Sequence, residues 1–233
     1  MVDVPLLEDV LRSAARLQRL VPEAVLVGGT AAAAHAGHRL SFDHDHVLID
    51  LVERYGDVLE AVEASEGWAT SVRASSPPLT LLGSLDGVEA GLRQLRRSRP
   101  LEVEPLELAG GESVVVPTLP EMLRVKAYLV VQRNATRDYL DTVALGERLG
   151  AEAAVAVLNQ IEDYYSDRSN ADGSVLTALV QRLADPAPRD PRVTTELSAY
   201  KGLDPRWHDW VSVRDACHVL ADGLLRAVEG ELE

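Results

Sequence analysis

Asp43 and Asp45 stand two residues apart in the run FDHDHVLIDL. Side chains alternate between faces along an extended segment, so the two carboxylates share one face. Paired hard-oxygen donors suit Mg²⁺ held together with substrate phosphates. Fourteen residues before Asp43 lies Gly29, in a run AVLVGGT whose apolar strand stops at Gly28, Gly29 and Thr30. The following TAAAAHAG is strongly helix-forming. Main-chain N–H groups at a helix start bind phosphate oxygens, and glycine lets the phosphate approach closely. A divalent cation beside a bound triphosphate polarises the α-phosphate, lowers the pKa of an attacking hydroxyl and stabilises a pyrophosphate leaving group. The chemistry these residue types support is nucleotidyl transfer.

The elements that must position them follow from periodicity. LLEDVLRSAARLQRLV repeats its apolar residues at helical spacing and predicts a first helix over residues 5 to 20. Next come a short strand, the glycine turn, a helix and the strand that carries Asp43 and Asp45. VERYGDVLEAVEAS is an amphipathic helix and WATSVRA a strand. Beyond the break SSPP, the runs LTLLGSLDG, VEAGLRQLR, LEVEPLEL and SVVV predict further strands of the same mixed sheet. From Pro120 onward the pattern is helical: PEMLRVKAYLVVQR, TRDYLDTVALGERLG, EAAVAVLNQIEDYY, GSVLTALVQRL and SVRDACHVLADGLLRAVEGEL, interrupted by the Pro-rich linker DPAPRDPR. The expected fold class is α/β (α+β), a mixed-sheet core over residues 1–118 followed by a helical domain over residues 119–233.

Composition narrows the classes further. The 233 residues carry 23 basic and 37 acidic side chains, a net charge of −14, which argues against a general polyanion-coating role. A local basic groove remains open, because Arg93, Arg96, Arg97 and Arg99 cluster in GLRQLRRSRP. No apolar run approaches the roughly 18 residues of a membrane span. The first twenty residues read as an amphipathic helix rather than a signal peptide. Cys217 stands alone, so neither a disulfide framework nor a cysteine zinc module is expected. A cytoplasmic protein is the expectation. Lysine occurs only at Lys126 and Lys201.

VGGTAAAAHAGHRLSFDHD resembles the glycine turn and Asp-x-Asp signature of the polymerase-β-like nucleotidyltransferases. KAYLVVQRNATRDYLD resembles the Lys…Arg…Arg-Asp-x-x-Asp pattern of the AbiEii-type toxins, which include the MenT group of mycobacterial toxins. The two segments bracket residues 25 to 145. The resemblance implies a nucleotidyltransferase core and a toxin held in check by a cognate antitoxin. Such a toxin uses a nucleoside triphosphate and Mg²⁺ to add nucleotides to the 3′ acceptor end of tRNA, so that translation stops. Carried over, Gly28, Gly29 and Thr30 are the phosphate-binding turn, Asp43 and Asp45 the metal ligands, and Arg39 a basic position able to touch phosphate. Lys126 matches the lysine that contacts the triphosphate. Asp138 and Asp141 both fit the acidic positions of the helical motif, and either can be the catalytic one. Ser41 occupies the position that, in some relatives, the antitoxin phosphorylates, where a phosphate would add negative charge beside the metal site and block nucleotide binding. The chain departs from the pattern at His44 and His46 around Asp45, and in Gly-Gly-Thr where Gly-Ser is usual.

Each signal also has a plainer reading. Gly-Gly can be a simple turn, and Lys126 can snorkel from an apolar helix. Asp138 can favour a helix dipole behind Thr136 as N-cap, and one of the two acids can pair with Arg133 or Arg137. His44 and His46 fall on the face opposite Asp43 and Asp45, so these four, even with His35 and His38 nearby, do not converge on one transition metal. The arginine cluster is a solvated face or an RNA-backbone contact. Trp207 and Trp210 pack between helices or stack bases, and Cys217 is a small buried hydrophobe. Two rival functions follow: a nucleotidyltransferase acting on a cationic small molecule of the aminoglycoside type, for which the acidic charge is an asset, and a catalytically silent binding protein that keeps the fold.

Overall fold

The computed structural model describes residues 6–168 and 173–230, with side chains as far as 228. Pro5 at the expected start of the first helix, and Glu231 and Leu232 at the expected end of the last, lie outside the described residues. Two compact units arise, Met1–Ala34 with Leu40–Thr118, and His35–Arg39 with Leu119–Glu233.

The first unit runs α1 (Leu7–Leu20), β1 (Val25–Val27), α2 (Gly28–Ala36, whose end groups with the second unit), β2 (Asp43–Leu48) and α3 (Leu51–Glu63). It continues with β3 (Trp68–Thr70), β4 (Thr80–Leu85), β5 (Val88–Gln94), β6 (Val103–Glu107) and β7 (Ser113–Pro117). Among the described residues the main sheet has five strands in the order β1-β2-β5-β4-β3. Only β2 and β5 pair in parallel, and the rest are antiparallel. Asp86 and Gly87 join β4 to β5 with φ of 52° and 84°, the left-handed pair that a two-residue hairpin requires. One face of the sheet is apolar. Leu48, Leu81, Leu85 and Leu92 meet Leu17 of α1 and Val58 and Val62 of α3 in one buried cluster. Full burial of each such side chain stabilises the fold by about 1.5–3 kcal/mol.

The runs LEVEPLEL and SVVV do not join that sheet, contrary to the expectation from periodicity; they pair with each other as a separate antiparallel hairpin. The hydrogen bonding explains why. Strand β6 carries Pro105, which has no N–H to donate, and it is mostly exposed. On β7 the main chain of Val115 is bound by a side chain: its N–H donates to Gln18 Oε1 at 2.7 Å and its carbonyl accepts from Gln18 Nε2 at 2.9 Å. Buried Val114 and Val116 hold β7 in the core of this unit.

The second unit is helical: α4 (Leu119–Arg133), α5 (Thr136–Leu149), α6 (Ala151–Asn159), α7 (Ile161–Tyr165), α8 (Val175–Ala184), α9 (Pro191–Thr194) and α10 (Trp210–Gly230). The expected single helix over EAAVAVLNQIEDYY breaks at Gln160, whose ψ of 7° leaves the helical region. Along α10, Val213, Cys217, Leu220 and Leu224 are buried at helical spacing, and that stripe packs on α6, α8 and α5. No helix among the described residues is long and apolar enough to cross a membrane.

Candidate functional site

The face of the main sheet opposite the helices holds the carboxylates. Strand β2 alternates half-buried Asp43 and Asp45 with buried His44 and His46, as the period of two requires. Its register sets Val27 beside Asp45 on one side, and Glu89 beside Asp43 and Gly91 beside Asp45 on the other. An open cleft of about 210 Å³ is lined there by Asp43, Asp45, Glu89, Gly91 and Arg93, with Ser71 on its wall.

Gly28 and Gly29 form the first turn of α2, one step earlier than a free glycine turn would place it. Gly28 has φ of +75°, and a Cβ there would lie 3.5 Å from Asp45 Cβ. The left-handed backbone, which favours glycine, therefore starts α2 directly beside Asp45. The main-chain N–H groups of this first turn have no partner within the helix, as at every helix start. Thr30 is fully buried, and its hydroxyl donates to the Asp43 carbonyl. Its side chain thus ties the start of α2 to β2. Ser41 is 1% exposed and its hydroxyl donates to Asp43 Oδ1 at 3.4 Å.

Hard carboxylate oxygens facing an open cleft fit a Mg²⁺-type ion. Among the described residues no three His, Cys, Asp or Glu side chains form a ready-made cage, but Mg²⁺ needs only one or two carboxylates when phosphates and water complete its shell. The histidines do not join them. His44 is set against α1, where Ser13 Oγ lies 3.0 Å from its Nε2, and burial brings its pKa down to about 4 against the opposing pull of Asp45 and Asp43. Burial, with His44 adding to it, holds His46 well below its ordinary value. Both rings are neutral at pH 7.

A second polar cluster lies within the helical unit. Asp141 is fully buried and takes Lys126 Nζ at 2.7 Å, Arg39 Nε at 2.8 Å, Arg39 Nη2 at 3.0 Å and His38 Nε2 at 2.8 Å. Burial alone would raise its pKa. Lys126, then Arg39 and His38, outweigh that and keep the carboxyl well below its usual range. Lys126 and Arg39 are 3% and 5% exposed, and both pair with Asp141. Asp138 is equally buried, yet neither carboxylate oxygen accepts a hydrogen bond. Burial raises its pKa although Lys126 and Arg133 pull it down.

Thr136 does not cap α5. It is the first helical residue, and its N–H and hydroxyl both donate to Asp190 Oδ1, at 2.8 and 2.9 Å. The cap comes from the Pro-rich linker, whose Ala187 and Arg189 also bond Asn134. Within the arginine cluster, Arg97 is buried and donates to the carbonyls of Arg99 and Pro100, while Arg96 and Arg99 are exposed. Trp207 is buried, Trp210 meets Tyr139 edge-on at 5.9 Å, and Cys217 is buried with its thiol pushed up to about 12.

Glu89 escaped sequence reasoning, and Arg93 entered it only as a member of the arginine cluster. Both lie on β5, some forty-five residues from Asp43 and Asp45, and only the β2–β5 pairing brings them together. The one available signal was VEAGLRQ itself, in which Glu89, Gly91 and Arg93 share a face at period two.

No family model matches the chain. It is 33% identical over 195 residues to the heme uptake protein MmpL11 of Mycobacterium tuberculosis, over 78% of this chain and 19% of that protein. The chain thus spans about a fifth of the length of the curated relatives it matches. In fold it is similar to MenT4, a nucleotidyltransferase toxin of Mycobacterium tuberculosis H37Rv, with a TM-score of 0.52, 16% identity and coverage of 93% of this chain and 83% of that one. It is also similar to the antibiotic-resistance factor ANT(2″)-Ia, with a TM-score of 0.50, 14% identity and coverage of 69% and 94%. The architecture is that of the nucleotidyltransferases.

Proposed function

We propose that the protein is a metal-dependent nucleotidyltransferase that transfers a nucleoside monophosphate from a nucleoside triphosphate to the 3′ acceptor end of tRNA, acting as a toxin restrained by a cognate antitoxin. The observation that carries the reaction class is the pair Asp43 and Asp45, facing an open cleft directly beside the Gly28 start of α2. Asp43 and Asp45 would hold Mg²⁺, with Glu89 on the same cleft wall. When bound, the ion supplies charge neutralisation at the phosphates and a more acidic attacking hydroxyl. Gly28 and Gly29 orient the phosphates through main-chain N–H groups. Thr30 keeps that turn against β2, and Gly28 supplies the room.

In the helical unit Asp138 is the acid left free for proton transfer, because Asp141 is held by Lys126, Arg39 and His38. Lys126 and Arg39 act first by neutralising Asp141, and phosphate contact requires them to share it. The acceptor assignment draws support from the extent of likeness to MenT4, which covers nearly the whole chain, against 69% of it for ANT(2″)-Ia. Ser41 is a modification candidate whose hydroxyl is buried against Asp43, so a kinase reaches it only when this loop opens.

A second reading rests on the 33% identity with MmpL11. In that reading the chain is a module shared with a transport protein, which keeps the fold and binds nucleotide without transfer. Incubating the parent and Asp43→Ala with each α-³²P nucleoside triphosphate, Mg²⁺ and total tRNA separates the readings. Label on tRNA with the parent alone supports transfer to RNA. Asp43-dependent nucleotide binding without labelled tRNA moves the acceptor to a small molecule, and absence of nucleotide binding favours the silent module.

A further inference from the structure

Among the described residues Arg93 is the one cationic side chain on the cleft wall, and its Nε lies 3.2 Å from Asp45 Oδ1. Gly91 makes this contact possible. It sits opposite Asp45 in the β2–β5 register, and a Cβ at position 91 would lie 2.4 Å from Asp45 Oδ1, closer than any real contact. The Asp45 carboxylate therefore leans over bare backbone toward a guanidinium two residues further along β5. The pair is not sealed in the core, with 43% of the Arg93 side chain and 32% of that of Asp45 exposed. Such an ion pair is weakly held and exchangeable. Asp45 thus pairs with an internal cation through the same carboxylate that would hold a metal.

We propose that Arg93 is an exchangeable counter-ion, paired with Asp45 before ligands bind and transferred to a substrate phosphate when the cleft is loaded. This rests on the metal-site reading above and goes beyond it in naming what competes for the site. Two consequences follow from charge alone. In the free protein, Arg93 opposes a divalent cation, because both need the same carboxylate. In the loaded cleft, the released guanidinium meets an anion whose geometry its planar fork matches. Cation and triphosphate therefore help each other bind, and the coupling is reciprocal. The site takes up the metal–triphosphate complex in preference to the bare ion.

The test measures Mn²⁺ binding to the full chain by electron paramagnetic resonance, without and with a non-hydrolysable triphosphate analogue. The parent, Arg93→Gln, Arg93→Lys and Asp45→Asn are compared. Arg93→Gln is expected to bind bare Mn²⁺ about threefold to tenfold tighter than the parent, the scale of losing one partly exposed charge. Arg93→Lys stays close to the parent. With the analogue present, the advantage of Arg93→Gln disappears or reverses. If Arg93→Gln binds bare Mn²⁺ no better than the parent, or more weakly, while Asp45→Asn abolishes binding, Arg93 only orients Asp45 and the inference fails with the metal site intact. If no form binds Mn²⁺ with or without the analogue, the metal-site reading itself fails. Circular dichroism spectra that overlay the parent's confirm that the surface substitutions leave the fold unchanged.

Discussion

Asp138 and Asp141 lie three residues apart on α5, equally buried, and the structure gives them opposite electrostatics. Asp141 has three basic partners and a depressed pKa, whereas Asp138 has two orphaned oxygens and a raised one. Asp141→Asn leaves Lys126 and Arg39 buried without their counter-charge and is expected to cost about 3–5 kcal/mol in urea unfolding at pH 7. Because the folded pKa is lowered, this contribution is present above the unfolded value of 3.8 and is lost as the pH falls through the folded pKa. The parent should therefore lose stability below pH 4 more steeply than the variant; parallel curves would contradict the assignment. Asp138→Asn has the reverse sign. A raised carboxyl pKa favours the folded state at low pH and disfavours it as pH rises through the folded value. The Asn variant at pH 8 should be as stable as the parent or more stable by about 1 kcal/mol, while transfer falls by about a hundredfold or more. Loss of stability together with activity would make Asp138 structural. The sequence placed both acids in one motif but could not separate them, because Arg39 and His38 approach Asp141 from a hundred residues away.

At the scale of elements, α5 begins on a cap supplied by another segment. Thr136 looked like the N-cap because hydroxyl residues favour that position, yet Asp190 of the linker accepts both of its hydrogen bonds. Asp190→Ala is expected to lower stability by about 1 kcal/mol, read as a fall in the urea midpoint with an unchanged slope. An unchanged midpoint would mean that solvent caps the helix equally well. Strands show the same division. The alternation of DHDHVL identified β2 and assigned its two faces, since a residue's side on a strand is a local property. The separation of β6 and β7 from the main sheet was not legible, because Gln18 on α1 binds Val115 ninety-seven residues away.

For the molecule as a whole, the net charge of −14 restricts how RNA is held. Arg96 and Arg99 are the exposed cluster members outside the cleft that Arg93 lines. Binding of labelled tRNA through about two phosphate contacts should give a log–log salt slope of about −1.5 to −2 between about 50 and 200 mM KCl. A slope several times steeper would require a basic surface beyond this cluster. By itself the sequence determined the order of strands and helices, the shared face of Asp43 and Asp45, and the glycine start of α2, because these depend on residue spacing and backbone preference within a few residues. Tertiary structure alone decided that Glu89, Gly91 and Arg93 join that face, that Asp141 is neutralised while Asp138 is left bare, and that Asp190 caps α5. Each of these depends on desolvation or charge contact between residues distant along the chain, which no local pattern encodes.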